Sequence, residues 1–442
     1  MQLKHRWVVV AVLILGVARA RADTVTTSIT FDHQQVPYSG NLTIGSGTSP
    51  ELRLQNGATT SGIATVVAGN GANQTGSLRI ISSTFSGGDT YLGYQQGSNG
   101  TATIGGTNAA MNLGTGTLFV GYAGTGNLWI NSGGQVNDGF GYVNTTTSAA
   151  VVVGSGSQWN SSYSLNVASG ALTVAQGGTA NSANGIVGMF PGGNGTAVVA
   201  NAGSTLSITN RLDIGFSNSN GGATGTLFVQ DRGVANAAGL STLGTDAGST
   251  GSAFITTSGT WNVGQILAVG LYGNGALTIN SGGVVNGGNN AFVGDNAGSS
   301  GSASITGTGS QWNLTGQSLS VGYFGTGALT VAGGGHVNSG TGGLGSGNGV
   351  NGTALVTGAG SSWNAGSTMW VGYSGHGALT IGQGGVVTNG TGYVGFDSTG
   401  VGTVNVWDSG SVWTTSNDLY IGGQTGGVGT VSVGWGGLVA VG

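Results

Sequence analysis

The 442-residue chain has no cysteine, 3 prolines and few charged residues, which make up 5% of the composition. The absence of cysteine excludes disulfide frameworks and thiolate metal sites. Glycine, in contrast, contributes 97 residues. Collagen and disorder are both disfavoured, because proline is scarce, no three-residue period is present and 38% of the residues are hydrophobic. We therefore expect the glycines to lie in turns.

Residues 1–22 have the pattern of a secretory signal peptide. A basic start at residues 4–6 precedes an apolar run over residues 7–18. This run of about twelve residues is shorter than the roughly twenty that span a bilayer, which disfavours the alternative of an uncleaved anchor. Ala20-Arg21-Ala22 predicts cleavage before Asp23, and Ala18-Arg19-Ala20 is the second choice.

Cleavage changes the charge of the chain. The mature part keeps four arginines and all 12 acids, so its net charge is 4 − 12 = −8, and lysine occurs only at Lys4. Such a chain lacks the basic patches that bind nucleic acid or anionic membranes. We expect no nucleic-acid partner and no membrane insertion by the mature segment.

The rest of the chain is internally repetitive. Similar segments begin with LFVGYAGTG at residue 118, LAVGLYGNG at 267, LSVGYFGTG at 319 and MWVGYSGHG at 369. Each is followed by a block that is clearest as TGTGSQWN from residue 306. One large apolar position of this block recurs at intervals of 48, 47, 55, 51, 51 and 50 residues, at Met111, Trp159, Leu206, Trp261, Trp312, Trp363 and Trp413.

Each repeat of about fifty residues divides into two halves, since the segments from Gly275 and from Gly301 follow the same order of strands and turns. Short runs such as Leu319-Ser320-Val321 alternate as strands do. Three short strands per half, joined by Gly and Asn corners, predict an all-β parallel β-solenoid with two coils per repeat. Residues 41–442 would form roughly sixteen coils and a rod of roughly 75 Å. A propeller or sandwich is disfavoured, because their units lack an internal half-repeat.

The repeats resemble the family shared by bacterial type V secretion (autotransporter) proteins and PEP-CTERM proteins. The shared pattern is VGxxGxGxLxVxxGGxVxxxxxxxVG followed by GxGSxW, and the match runs from about Gly76 to Val433. The resemblance implies a right-handed parallel β-helix, exported by Sec and carried as a passenger domain at or beyond the outer membrane of a Gram-negative bacterium.

We divide the chain into a signal peptide (1–22), an N-terminal cap with degenerate first coils (23–75) and a β-helix repeat domain (76–442). The resemblance also implies a C-terminal translocator barrel or a Pro-Glu-Pro sorting signal. Residues 435–439 instead continue the repeat pattern. We therefore expect the repeat domain to be truncated at its C-terminus.

Three acids recur beside strand-ending glycines, namely Asp246, Asp295 and Asp397. At the repeat spacing they would lie two coils, or roughly 10 Å, apart. Clustered carboxylates cleave glycans and bind calcium in other β-helices. One carboxylate per site is too few for either role, so we expect solvated turn caps.

Residues 407–411, WDSGS, look like a serine protease motif but align with the ordinary corner at 357–361. A triad also needs a histidine base. His336 and His376 occupy positions held by valine and threonine in other repeats, and His33 precedes the repeats. We expect no catalytic, cofactor-binding or metal-binding residues, and no enzyme.

The recurring tryptophans could bind sugar rings if they were exposed. Because methionine and leucine replace them in two repeats, we interpret them as buried corner anchors. The asparagines that follow are expected to form a polar ladder; they are Asn112, Asn160, Asn262, Asn313 and Asn364.

The sequence therefore favours a noncatalytic exported β-helix passenger that acts in adhesion or self-association. Its partners would be host or bacterial cell-surface components, or further copies of itself. A glycan-binding or glycan-cleaving parallel β-helix is the alternative. A groove lined by several acids or aromatic side chains would favour that alternative.

We predict cleavage before Asp23, because the small residues of Ala20-Arg21-Ala22 occupy the positions that signal peptidase reads. Mass spectrometry of exported material should give a mature N-terminus at Asp23. Recovery of a chain that still carries Met1 would reject this prediction.

Overall fold

The computed structural model describes residues 23–45, 49–218, 221–423 and 426–442. The predicted signal peptide and its cleavage motif fall in residues 1–22, outside the described residues. Across the described ranges the regular secondary structure consists of β-strands in parallel pairs. No helix in these ranges is long and apolar enough to cross a membrane.

Each coil contributes one strand to a narrow sheet of 17 strands. The described strands of this sheet are Ile29–Asp32, Glu51–Gln55, Thr75–Ile81, Asn99–Gly105, Thr125–Asn131, Ala149–Val153, Ala171–Ala175, Asn194–Ala200, Thr224–Gln230, Thr250–Ile255, Asn274–Asn280, Ser300–Thr306, Thr326–Ala332, Asn351–Thr357, His376–Gly382, Val401–Trp407 and Val428–Gly434.

The remainder of each coil belongs to a wide sheet, either as two short strands or as one long bent strand. Its described strands are Asp23–Val25, Gln35–Ile44, Thr59–Ala68, Thr84–Leu92, Ala110–Asn112, Thr117–Val120, Gln135–Val143, Gln158–Val167, Thr179–Met189, Thr205–Phe216, Val234–Ala237, Ser241–Leu243, Thr260–Val263, Leu267–Val269, Val284–Gly287, Ala291–Val293, Gln311–Val321, His336–Leu344, Ser362–Asn364, Thr368–Val371, Val386–Asn389, Thr391–Val394, Val412–Thr415, Leu419–Ile421 and Leu438–Val441.

Strand register confirms the predicted β-solenoid and its two coils per repeat. Gly275 pairs with Gly301, and Gly301 pairs with Gly327. Trp261 is followed in register by Val285 and then by Trp312, so the tryptophan returns every second coil. The chain forms about sixteen coils of the solenoid.

The core explains why the repeat spans two coils. Trp312 lies between Val285 and Val337, and the same column alternates large and small residues through Trp363 and Val387. A second inward column alternates in the same way. In a coil that contains a repeat tryptophan this column has a leucine or methionine, and in a coil without one it has a glycine, alanine or serine. From residue 241 onward its members are Ser241, Leu267, Ala291, Leu319, Gly342, Met369, Gly392 and Leu419.

The small residues make room for the indole rings. A Cβ atom added at Gly342 would lie 2.7 Å from Cζ2 of Trp363. Since interiors are close-packed, a bulky coil must be followed by a slim one. The five repeat tryptophans Trp159, Trp261, Trp312, Trp363 and Trp413 are fully buried, which confirms that they anchor the core, although they lie on strands beside the corners.

Two local features hold the corners. Gly294 has a φ of +75°, and a Cβ there would lie 2.2 Å from the carbonyl oxygen of Thr326 in the next coil, so only glycine fits. The buried Ser310 accepts a hydrogen bond from the Gly282 N–H at 3.1 Å and donates one to the Thr306 carbonyl at 2.8 Å. This serine, the S of GxGSxW, thereby links consecutive coils.

The predicted asparagine ladder is present and denser than expected, except that Asn364 does not join it, since its side-chain oxygen accepts the Gly366 N–H and the Thr388 hydroxyl instead. Its amides hydrogen-bond from coil to coil at 2.8–3.1 Å, and the intervening coils also carry asparagine. Ser207 interrupts the column between Asn181 and Asn236. The two ladders are Asn112, Asn137, Asn160 and Asn181, and then Asn236, Asn262, Asn286, Asn313 and Asn338.

Trp312→Ala should lower the free energy of unfolding by about 3–5 kcal/mol, the usual cost of truncating a large buried aromatic. The loss should stay local, because solenoid coils contact only their neighbours. Urea unfolding followed by hydrogen exchange would measure both effects. Trp129→Ala is the matched control, since that indole is 48% exposed; equal losses in the two variants would contradict a core role.

Candidate functional site

The three recurring acids do not form an even ladder. Asp246 and Asp295 lie two coils apart, as expected, because Leu243 pairs with Val269 and Val269 with Val293. The expectation is wrong for Asp397. Four coils, or roughly 19 Å, separate it from Asp295, because the repeat between them has Ser346-Gly347 at this turn.

These acids cap turns, but they are half-buried and not fully solvated. The Asp246 carboxylate accepts the backbone N–H of Ser217 at 2.8 Å. The Asp397 carboxylate accepts the hydroxyl of Ser374 at 2.9 Å. Burial raises the pKa of Asp295 to about 6. Within the described ranges, no three His, Cys, Asp or Glu side chains approach closely enough to hold a metal ion.

The histidines lie apart from one another. His336 Nδ1 is 2.8 Å from the hydroxyl of Ser362, its register partner in the next coil. Its register partner in the preceding coil is Gln311. Because neither neighbour is an acid, no carboxylate at these positions orients the imidazole. His376 begins a narrow-sheet strand at an exposed position. In the protease-like stretch, Ser411 is buried and accepts the Gly384 N–H, which is the corner role of Ser310.

Two buried carboxyls are not among the residues singled out from the sequence, Asp138 and Asp213, and Asp213 forms an ion pair with Arg211 at 2.7 Å. Asp138 is 2% exposed and accepts the indole N–H of Trp159 at 2.7 Å. Desolvation by burial raises its pKa to about 7. Uncharged partners take this place in two later repeats, where Ser339 accepts from Trp363 and Asn389 accepts from Trp413. The buried indole N–H groups of Trp261 and Trp312 have no hydrogen-bond partner among the described residues.

Aromatic side chains form a column on the outside of the wide sheet, which we call the outer aromatic column. In the early coils Tyr91, Phe119 and Tyr142 stack at 5.0–5.1 Å between ring centroids. Late coils repeat the arrangement with Trp370, Tyr393 and Tyr420 at 6.4 and 5.1 Å.

A second row of rings borders this column at the following turn. Tyr94 and Tyr122 stack at 5.2 Å beside Tyr91, and Tyr373 and Phe396 stack at 5.1 Å beside Tyr393. Neither row was predicted from the sequence, because the repeat motif that predicts exposed or buried rings contains only the tryptophans. The signal was present as the aromatic that alternates with an inward valine before several of the corners, as in Phe119-Val120-Gly121 and Trp370-Val371-Gly372.

No family model matches the chain, and no curated protein matches it. Among solved structures, it is similar to the crystal structure of a TibC-catalysed hyper-glycosylated TibA fragment, residues 55–350. That match has a TM-score of 0.39 and 16% identity, and it covers 94% of this chain and 100% of that one. The solenoid assignment rests on the strand pairing of this chain and not on that likeness.

Asp138→Asn should remove a pH-dependent loss of stability. Between about pH 4 and pH 7 the folded chain keeps a proton on Asp138 that the unfolded chain has released, so stability falls as pH rises through this window. At about 1.4 kcal/mol per pKa unit, the loss reaches at most about 4 kcal/mol. Asparagine still accepts the Trp159 N–H, as Asn389 does for Trp413.

Urea unfolding at pH 4 and pH 8 measures the effect. The variant and the wild type should have similar stability at pH 4, and the variant should be the more stable at pH 8. Asp246→Asn serves as a control for the removal of a carboxyl that caps a turn and does not contact a core indole. Identical pH profiles for the wild type and Asp138→Asn would show that Asp138 does not titrate in this window.

Proposed function

We propose that the chain is a noncatalytic, exported β-solenoid that acts at the cell surface in adhesion or self-association. The observation that carries the proposal is the coil-to-coil repetition of an outer surface with few charged residues. On the narrow sheet, outward positions stack as Phe254, Thr278, Ser304 and Thr330. A contact that suits one coil is therefore offered again at about 4.8 Å intervals along the rod.

Repetition turns weak contacts into useful binding. Serine and threonine hydroxyls contribute little singly, because a hydrogen bond to a surface group replaces one to water. Many such contacts on one rigid rod share a single loss of translational freedom, so avidity grows with rod length. Length is then the functional variable, and no single residue is essential.

The export route is part of the same proposal. It is supported by the basic and apolar pattern of residues 1–22 and by the resemblance of the repeats to autotransporter and PEP-CTERM units. These two features together support Sec export and display at the surface of a Gram-negative bacterium, or release from it. The partners would be bacterial or host surface components, or other copies of the chain.

Glycan binding is the second candidate function, and the outer aromatic column favours it. Tyrosine and tryptophan offer an apolar ring face with a polar edge, which suits the mixed surface of a sugar. Glycan cleavage gains no such support. Asp246, Asp295 and Asp397 lie two and four coils apart and cap turns, whereas glycosidases place two carboxyls across one scissile bond.

Deleting pairs of coils should weaken adhesion and self-association stepwise. Deletion of residues 225–274 joins Thr224 to Gly275, and deletion of residues 170–274 joins Ser169 to Gly275. These junctions remove two and four coils with the register kept. Both also preserve the alternation of bulky and slim coils. Sedimentation velocity and attachment of rod-coated beads to bacteria measure the two activities.

Asp246→Asn, Asp295→Asn and Asp397→Asn are the matched single-site controls, and each should bind as the wild type does. Deletion of one coil, residues 225–250, is a folding control. It places Leu206 beside Trp261 and should destabilise the rod. Loss of binding in one Asp→Asn variant, or turnover of a polysaccharide by the rod, would overturn the proposal in favour of an enzyme.

A further inference from the structure

The outer aromatic column has no ring over five coils between Tyr142 and Phe292, and a shorter gap of two coils follows in the late coils. The column runs in register through Phe292, Ser320, Gly343, Trp370 and Tyr393. Two consecutive coils thus lack a ring, and the backbones of Phe292 and Trp370 are three coil spacings, or about 14 Å, apart. The neighbouring row has the same interruption, because Ser346 stands between Tyr323 and Tyr373.

The shorter gap is a cavity of about 210 Å³. Three aromatic residues line it, Tyr323, Trp370 and Tyr373, and small or polar residues complete the lining and form what we call its floor; these are Ser318, Ser320, Thr341, Gly343 and Ser346. The backbones of Tyr323 and Tyr373 are two coil spacings, or about 10 Å, apart, and the stacked rings elsewhere on this surface lie 5.0–6.4 Å from each other. One further ring would therefore complete the stack.

The far wall is held rigidly in place. Trp370 stacks on Tyr393 with an angle of 11° between the ring planes, and Tyr393 stacks on Tyr420. Tyr373 is supported in the same way by Phe396. These rings cannot collapse into the gap without leaving their partners, so the cavity is preorganised.

The floor is polar. A Cβ atom placed on Gly343 would lie 3.3 Å from the hydroxyl oxygen of Ser346 and 3.8 Å from that of Ser320, so both hydroxyls border the space above this glycine. The lining contains no charged side chain. A neutral ligand is thereby favoured over a phosphate or carboxylate, and a ligand with its own hydroxyl groups over a hydrocarbon.

We infer that this cavity, the Gly343 slot, binds one neutral pyranose ring of a glycan. The sugar ring takes the place of the missing aromatic, with its C–H faces against Tyr323 and Tyr373 and its hydroxyls toward Ser320 and Ser346. A single ring with few contacts implies a dissociation constant in the low millimolar range. The inference rests on the second candidate function and gives it a place and a ligand class.

Gly343→Val tests the slot. The φ of Gly343 lies outside the left-handed region, and the same column accepts tryptophan at position 370. The Gly343→Val variant should therefore fold normally, with the valine side chain filling the space. Ser304→Val is the matched control, a small residue at an outward strand position of the other sheet. Trp370→Ala is a second test variant that removes a wall and adds no bulk.

The probes are cellohexaose, maltohexaose and N-acetyl-chitohexaose, with saturation-transfer NMR as the readout on the purified rod. At least one probe should bind the wild type and Ser304→Val equally and bind Gly343→Val and Trp370→Ala at least tenfold more weakly. Three results would overturn the slot: no transfer to any probe, unchanged binding by Gly343→Val, or p-cresol binding more tightly than every sugar.

The sugar-binding proposal and the adhesion proposal can be disproved independently of each other. Deletion of residues 225–274 leaves the slot whole, so that variant should keep full sugar binding while its self-association falls. Gly343→Val should behave oppositely, losing the sugar and keeping self-association. Loss of both properties in Gly343→Val would mean that the slot is the contact between rods, which overturns the sugar assignment.

Discussion

The structure depends on one packing constraint, the alternation of bulky and slim coils in a core that is only one side chain deep. A coil with tryptophan and leucine fills the interior, as Trp312 and Leu319 do, and the next coil must leave room with Val337 and Gly342. Two coils are therefore the smallest unit that can be repeated, which gives the sequence its period of about fifty residues.

The corners fix how each coil lies against the next and so make the rod rigid. Glycines such as Gly294 allow the backbone of one coil to lie against the carbonyl groups of the next, where any side chain would clash. Serines such as Ser310 then satisfy the backbone groups that the tight turn would leave unpaired. With the backbone positions set by the interior, outward side chains fall into straight columns, and the outer aromatic column with its gap at Gly343 is a product of that regularity.

Much of the fold was predictable from the sequence because its signals are periodic. The spacing of the tryptophans, the half-repeat between Gly275 and Gly301 and the glycine corners together predicted parallel coils, buried indoles and the asparagine column. All are present, although the asparagine column ends at Asn338 and excludes Asn364. The division at residue 76, the handedness and the cleavage site stay predictions.

The surface site was not predictable in the same way. Tyr323 and Trp370 lie far apart in sequence, and their proximity depends on register across several coils, which a repeat motif does not reveal. The separation of Asp295 from Asp397 was misjudged because the intervening repeat lacks the acid. Asp138 was overlooked because only the register shows that it lies beside Trp159 in the interior.

The asparagine ladders have an electrical consequence. In each ladder, every asparagine after the first donates its side-chain N–H to the side-chain oxygen of the asparagine in the preceding coil. All the side-chain dipoles therefore point the same way along the rod. Aligned dipoles add, as they do along an α-helix, and each hydrogen bond in the row polarises the next. Each ladder thus gives the rod a dipole with a positive and a negative end, despite the scarcity of charged residues. Two rods that lie side by side at these faces attract each other more strongly in antiparallel than in parallel orientation.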